Sequence, residues 1–241
     1  MYNDVLFTLC IFQFTILLLD IYIFARTGRD IAGRSERILF RALIVTHMQY
    51  LVCNTLWTLH EYGWLVFQRN VLMVICTISL WSVTNCAASF FLLVVEMRKI
   101  MFFRSPSGRL IKQLPAFITT VLICLNPLTG LVFTLSEEGY FVHEALYLPV
   151  FALSAVYLVA VVVVAAGSAV RTRNIFRPYA DIALCASILL IILYVAADGF
   201  MQKVSILPAP IFAVIMVIFV LMQESNINSD LQHHLCEHEK P

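Results

Sequence analysis

Polar and ionisable side chains lie inside the long apolar segments of this sequence, where they are costly and therefore of functional interest. His47 and Asn85 fall at similar depths in two successive apolar segments. At about 1.5 Å of helix rise per residue, they form one intramembrane polar layer and can hydrogen-bond across neighbouring helices. Such a bond either joins two helices or serves a ligand or a proton. Asp20 lies in the first apolar segment, and Arg41 is its expected salt-bridge partner.

A second set of polar and aromatic side chains is expected at the outer ends of the same segments. Aromatic residues near a membrane interface usually anchor helices among the lipid headgroups. The alternative is a concave pocket between helices, in which a few polar groups orient a small ligand. The candidate ligand-binding residues are Asn54, Trp57, His60, Trp81, Asp198 and Gln202. His60 and Asp198 are the first two to test.

The sequence contains no recognisable catalytic constellation, so we predict that the chain is not an enzyme. It has no His-Glu-x-x-His zinc motif, and its eight glycines do not cluster into a phosphate-binding loop. The tail segment His233–His238 has the composition of a metal-binding tract but fits no standard zinc spacing. Neither a cofactor nor a metal is therefore predicted.

Composition indicates a polytopic membrane protein. Of the 241 residues, 61% are hydrophobic and 13% are charged, whereas soluble domains contain about 25% charged residues. A spanning helix needs about 20 apolar residues. We therefore predict an all-α bundle of seven transmembrane helices over residues 1–223, followed by a polar, helical cytoplasmic tail over residues 224–241. The predicted spans are Val5–Ala25, Ile38–His60, Val71–Val95, Leu114–Leu135, Glu144–Val170, Tyr179–Met201 and Leu207–Gln223.

The placement of positive charge predicts the orientation of this bundle. Twelve of the sixteen Lys and Arg residues fall in three connections, Arg26–Arg37, Arg98–Lys112 and Arg171–Arg177. The alternate connections hold only Arg69 and Lys203. Because short loops rich in Lys and Arg stay in the cytoplasm, the amino terminus is predicted outside and the carboxyl terminus inside.

The outer loop before the fifth predicted helix carries a sequence pattern of its own. It reads Ser136-Glu-Glu-Gly139-Tyr140-Phe-Val-His-Glu-Ala-Leu146-Tyr147. This acidic-Gly-Tyr-x(n)-Leu-Tyr pattern resembles one in the seven-helix sensor halves of bacterial diguanylate cyclases and sensor histidine kinases. The resemblance implies a short turn at Gly-Tyr and a fifth helix that starts at Leu-Tyr. A last span that continues into a polar helix is similar too.

The resemblance implies a signal receptor in the inner or plasma membrane of a bacterium. In that family the last helix leads into a catalytic domain, which this sequence does not include. We therefore expect either a truncated or stand-alone sensor, or an output that lies on a separate cytoplasmic signalling protein. The expected partners are the lipid bilayer, that protein, an unidentified small ligand and a second copy of the chain. A net charge of +1 gives no reason to expect nucleic acid. The alternatives are a small-molecule transporter lined by His47, Asn85 and Asp198, and a non-catalytic membrane scaffold.

Overall fold

The computed structural model describes residues 2–31, 33–137, 139–171, 185–186, 188–189 and 209–223. This part of the chain is mostly helical, which confirms the predicted class in its coarse form. Its α-helices are α1 (Tyr2–Asp30), α2 (Arg34–Glu61), α3 (Arg69–Met97), α4 (Pro106–Thr129), α5 (Tyr147–Arg171) and α6 (Ala209–Gln223). A 3-10 helix, Met101–Arg104, connects α3 to α4. Most of the predicted sixth span and the whole tail lie outside the described residues.

Four of the described helices are long and apolar enough to cross a membrane. They are Phe7–Gly28 within α1, the whole of α3, the whole of α4, and Tyr147–Gly167 within α5. α2 is as long as these helices but contains four charged residues near its start, and α6 is shorter. The helices therefore have the length and apolar character of those in a membrane protein.

The described helices expose large apolar side chains and bury polar ones, which reverses the pattern of a water-soluble protein. Phe14 on α1, Phe117 on α4 and Val163 on α5 are each at least 60% exposed. Asp20 and His47, in contrast, are fully buried. Lipid tails can solvate such an apolar outer surface, whereas polar groups need partners inside the protein.

The buried apolar residues form two clusters along the bundle. The larger cluster combines residues of α1, α2, α3, α5 and α6, and in it the rings of Phe40 and Phe219 stack at 6.1 Å. The smaller cluster surrounds Phe133 and joins α3, α4 and α5 to the segment between α4 and α5. One end of the bundle is thus closed by a connecting segment with an apolar core.

That connecting segment is a β-hairpin, which the all-α prediction did not include. β1 (Phe133–Leu135) pairs with β2 (Phe141–His143) in antiparallel register. Gly139 in the turn has a φ of 87°, a conformation that glycine adopts without a steric penalty. α5 then begins at Tyr147. The turn and the helix start therefore occur where the Gly-Tyr and Leu-Tyr pairs of the sequence pattern place them.

α4 lies earlier in the sequence than the predicted fourth span. It begins at Pro106, where the N-cap residue Ser105 accepts a hydrogen bond from Gly108 N at 3.0 Å. It ends at Thr129, because Gly130 adopts a φ of 62° and its amide donates to a carbonyl of the last turn. The apolar sequence continues past this stop into β1, so hydropathy alone places the end of the span too late.

Candidate functional site

A buried pair of ionisable side chains lies between α1 and α2. Asp20 Oδ2 is 2.7 Å from His47 Nδ1, and both side chains are 0% exposed. On α1, Asp20 belongs to a stripe of buried residues spaced three or four apart, which is the spacing of one helix face. The other members of this stripe are Gln13, Ile16, Ile23 and Thr27.

Further contacts fix the antiparallel register of α1 against α2. On one side of the buried pair, Thr55 donates a hydrogen bond to Gln13 Oε1 at 2.5 Å. On the other side, the Arg41 guanidinium lies 5.1 Å from the centre of the Phe24 ring. We call the row formed by Gln13, Thr55, Asp20 and His47 the polar seam.

The predicted salt bridge between Asp20 and Arg41 is not formed. Within the described part of the chain, Asp20 Oδ1 and Arg41 Nε have no hydrogen-bond partner. The register of the two helices places Arg41 beside Phe24 and Gly28, about one to two turns further along α1 than Asp20. Similar depth below the interface is therefore not enough to make two residues meet.

The predicted hydrogen bond between His47 and Asn85 is not formed either. Asn85 Nδ2 donates to the carbonyl of Trp81 in its own helix, at 2.8 Å. α3 instead reaches α2 through the next residue, because the Cys86 thiol donates to Thr46 Oγ1 at 3.3 Å. Successive residues of a helix point about 100° apart, so the orientation that turns Cys86 toward Thr46 turns Asn85 away.

Trp57 and His60 lie near the carboxyl-terminal end of α2, against the β-hairpin. The Trp57 ring meets Phe141 edge-on, with 6.2 Å between ring centres, and lies 6.5 Å from the His60 ring. Phe141 also stacks on Phe133 at 4.5 Å. Trp81 of α3 packs against the same apolar cluster as Trp57. We call Trp57, His60, Phe133, Phe141 and Tyr147 the aromatic cap.

His60 connects the α2–α3 loop to the hairpin. Its Nδ1 is 3.1 Å from Leu65 O and 3.3 Å from Phe67 N. A protonated Nδ1 donates to this carbonyl, and an unprotonated Nδ1 accepts from this amide. A Cβ atom on Gly139 would lie 2.9 Å from His60 Nε2, so the hairpin turn sits directly against the ring.

Asn126 and Arg69 attach the hairpin to the helices, and neither is among the predicted site residues. Asn126 Oδ1 accepts from Val132 N at 2.7 Å and Phe133 N at 3.1 Å, and its Nδ2 donates to Phe133 O at 2.9 Å. Arg69 Nη2 donates to Leu135 O at 3.0 Å. The sequence signal for Asn126 is its position shortly before Gly130 at a helix end, where a side-chain amide can satisfy exposed backbone groups.

Tyr157 of α5 also has a role that the sequence did not reveal. Its hydroxyl accepts from Ala116 N and donates to Lys112 O, both at 2.9 Å. It thereby occupies the place of the direct hydrogen bond between these two groups in a regular helix. The neighbouring Pro115 has no amide hydrogen and disturbs the helix at this point. α5 therefore holds the irregular turn of α4 together.

The remaining candidate residues have different outcomes. Asn54 is 6% exposed, and its Nδ2 has no hydrogen-bond partner among the described residues. Asp198 and Gln202 lie outside the described residues. The structure thus brings together Trp57 and His60 of the predicted outer set and packs Trp81 against the same apolar cluster as Trp57. It places Asp20 rather than Asn85 beside His47.

The described side chains offer hydrogen bonding, aromatic contact and proton binding. In this part of the chain, no group of three or more His, Cys, Asp or Glu residues could hold a metal ion. Among the described residues, the short contact between a carboxylate and an imidazole is the buried pair of Asp20 and His47. In comparisons with known proteins, the chain matches no protein-family model and no curated protein.

Proposed function

We propose that the protein is a signal receptor of a bacterial cell membrane, with seven spanning helices, the amino terminus outside and the carboxyl terminus in the cytoplasm. It receives an extracytoplasmic or membrane stimulus and relays it to a cytoplasmic output partner. The four long apolar helices support a membrane location. The three connections rich in Lys and Arg support the orientation. The pattern around Gly139 and Tyr140 supports a sensor of the cyclase and kinase type.

The observation that carries this proposal is that one capping structure contacts four helices. Trp57 and His60 belong to α2, and Arg69 at the start of α3 bonds to β1. Asn126 ties α4 to the same hairpin, and Tyr147 begins α5 and packs against Phe141. A stimulus that moves the aromatic cap therefore acts on all four helices. Such a bundle responds to any ligand that binds one of its two arrangements better than the other.

α2 provides a route from the aromatic cap to the last helix. It carries Trp57 at the cap, His47 in the polar seam and Phe40 near its other end. The Phe40 ring stacks on Phe219 of α6, with 7° between the ring planes. α6 extends to Gln223, where the polar tail begins. A movement of α2 is passed to α6 through this stacked pair.

The proposal is tested by disturbing the cap and observing α6. Phe141→Ala removes a ring from the cap, whereas Phe117→Ala removes a ring that is 66% exposed on α4 and faces lipid. Hydrogen–deuterium exchange is measured for both variants and the wild type in nanodiscs. We expect Phe141→Ala to change exchange several-fold at the hairpin and also in the peptide ending at Gln223. Phe117→Ala should change neither.

A change confined to the hairpin would contradict the receptor and favour a permease. The observation that favours a permease is the polar seam, a row of four polar side chains between α1 and α2. A proton-coupled permease should acidify proteoliposomes that contain a pH-sensitive dye, and Asp20→Asn should abolish this acidification. A receptor should produce no such flux.

A further inference from the structure

The buried pair holds a hydrogen between two groups that can each bind a proton. Asp20 Oδ2 and His47 Nδ1 are 2.7 Å apart, which is the distance of a strong, charge-assisted hydrogen bond. One hydrogen lies between these two atoms, whether the oxygen or the nitrogen carries it. Neither side chain is exposed to solvent. Proton binding at this site therefore depends on the helices that enclose it.

Net charge determines how many protons the enclosed pair can hold. With one titratable proton the pair is neutral overall, either as an ion pair or as a carboxylic acid beside a neutral imidazole. A second proton leaves a net positive charge, and loss of the proton leaves a net negative charge. Either charge is costly away from water. Asp20 Oδ1 has no hydrogen-bond partner among the described residues, so none of them stabilises an extra negative charge on this oxygen.

We propose that Asp20 and His47 form a proton-binding site that exchanges protons with water only when the contact between α1 and α2 opens. In the closed arrangement the pair keeps one titratable proton. After opening, the pair accepts a proton from hydronium or releases one to water, and no other covalent bond changes. The ligand of this site is the proton itself. The inference goes beyond the receptor proposal and holds equally for a permease.

Other titratable side chains of the described helices are buried in the larger apolar cluster. They are Tyr50 on α2, Cys86 on α3 and Tyr157 on α5, and Arg41 Nε on α2 is buried as well. Arg41 packs on a ring of α1 instead of bonding to Asp20, and the hydroxyl of Tyr157 bonds to α4. α6 contains no Lys, Arg, His, Asp or Glu. Arg41, the fixed cation among these residues, therefore makes no hydrogen bond to Asp20.

The contact between α1 and α2 can be opened by substitution at Gly28. A Cβ atom at this position would lie 2.9 Å from Arg41 Nη2, so Gly28→Leu displaces the flexible Arg41 side chain and places a larger side chain between the two helices. The matched control is Gly167→Leu on α5, where a Cβ atom would have no neighbour within 4 Å. Ile23→Ala gives a second opening, because Ile23 is 2% exposed and lies about one turn from Asp20.

The experiment records nitrogen-15 NMR spectra of the full chain, labelled at histidine, in nanodiscs. The signal of His47 is assigned by its loss in His47→Gln. Spectra are compared between about pH 5 and pH 8, the range in which an exposed histidine titrates. We expect the His47 signal to stay in place in the wild type and in Gly167→Leu. In Gly28→Leu and Ile23→Ala it should shift along a titration curve.

Infrared spectra give a second readout that a merely structural pair would not produce. The carboxyl band that is lost in Asp20→Asn should change with pH in the opened variants and stay constant in the wild type. Titration of His47 in the wild type like that of a free histidine would overturn the proposal. So would an unchanged signal in a folded Ile23→Ala, even if Gly28→Leu fails to fold. Neither outcome bears on the receptor, which depends on the separate response of α6 to Phe141→Ala.

Discussion

At the scale of single residues, some polar groups inside the bundle are paired across elements. Asp20 meets His47 between α1 and α2, and Tyr157 reaches from α5 into the backbone of α4. Removing one member of such a pair leaves the other buried without its partner. That loss costs more than the hydrogen bond contributes when both partners are present.

Tyr157→Phe tests the clamp between α5 and α4. The change removes one oxygen and leaves Ala116 N and Lys112 O without a direct partner, because they bond to this hydroxyl in place of each other. We expect the free energy of unfolding in mixed micelles to fall by about 1–3 kcal/mol. Tyr140→Phe is the matched control, since Tyr140 is 53% exposed. Equal losses for the two variants would contradict the clamp.

A double-mutant cycle tests the buried pair. Asp20→Leu and His47→Leu should each lower the free energy of unfolding by about 3–5 kcal/mol, because each removes the buried hydrogen bond between the two side chains. The double variant should lose less than the sum, by about 0.5–3 kcal/mol. The control cycle combines His47→Leu with Asn85→Leu, whose losses should add because Asn85 bonds within α3. Additive losses in the first cycle would mean that the pair is not coupled.

The pairing of Asp20 with His47 was only half predictable. The sequence identifies both as polar residues inside apolar segments, and counting along the helices gives their depths. It does not give the rotation of each helix, which decides whether Cys86 or Asn85 faces α2. The buried stripe from Gln13 to Thr27 was the available clue, because its spacing defines one face of α1.

At the scale of elements, apolar runs locate helices but not every helix end. α1, α2 and α3 contain the first three predicted spans and extend a few residues beyond them. Polar residues continue a helix wherever no glycine or proline stops it. In contrast, the run that ends at Leu135 includes both the last turns of α4 and the first strand of the hairpin. Gly130 marks this boundary through its backbone conformation, which hydropathy does not report.

The hairpin should respond to acid through His143. Burial against the neighbouring rings lowers the pKa of His143 below its ordinary value of 6.5, and its ring stacks on Tyr147 at 3.9 Å. The unfolded chain therefore binds the proton more readily than the folded chain does. The stabilising contribution of neutral His143 is complete above pH 6.5 and is lost as the pH falls through the lowered pKa.

Thermal unfolding of the wild type and His143→Phe between about pH 8 and pH 5 measures this effect. Phenylalanine keeps a stacked ring but cannot take up a proton. The melting temperature of the wild type should fall more on acidification than that of the variant. The difference should appear below pH 6.5, the ordinary pKa. Parallel curves would show that His143 binds protons equally in both states.

At the scale of the whole molecule, α4 separates a basic connection from an acidic hairpin. The segment Arg98–Lys112 lies at its start, and the hairpin turn with Glu137 lies beyond its end. α4 is long and apolar enough to cross a membrane, and in the proposed arrangement these two connections lie on opposite sides. The excess of Lys and Arg supports a cytoplasmic position for Arg98–Lys112 in that arrangement.

Reporter fusions test this arrangement and the membrane-spanning role of α2 together. A reporter active only in the cytoplasm should give a signal after Gly108 and after Arg173, and none after Glu138. A further fusion after Gly63, in the connection between α2 and α3, should also give none if α2 crosses the membrane. α2 needs this separate test because it is more polar than the four long apolar helices.

Signals after both Gly63 and Gly108 would contradict the seven-span arrangement, since α3 between them is apolar enough to cross. Signal after Glu138 instead of Gly108 would reverse the orientation, and the aromatic cap would then face the cytoplasm rather than the stimulus.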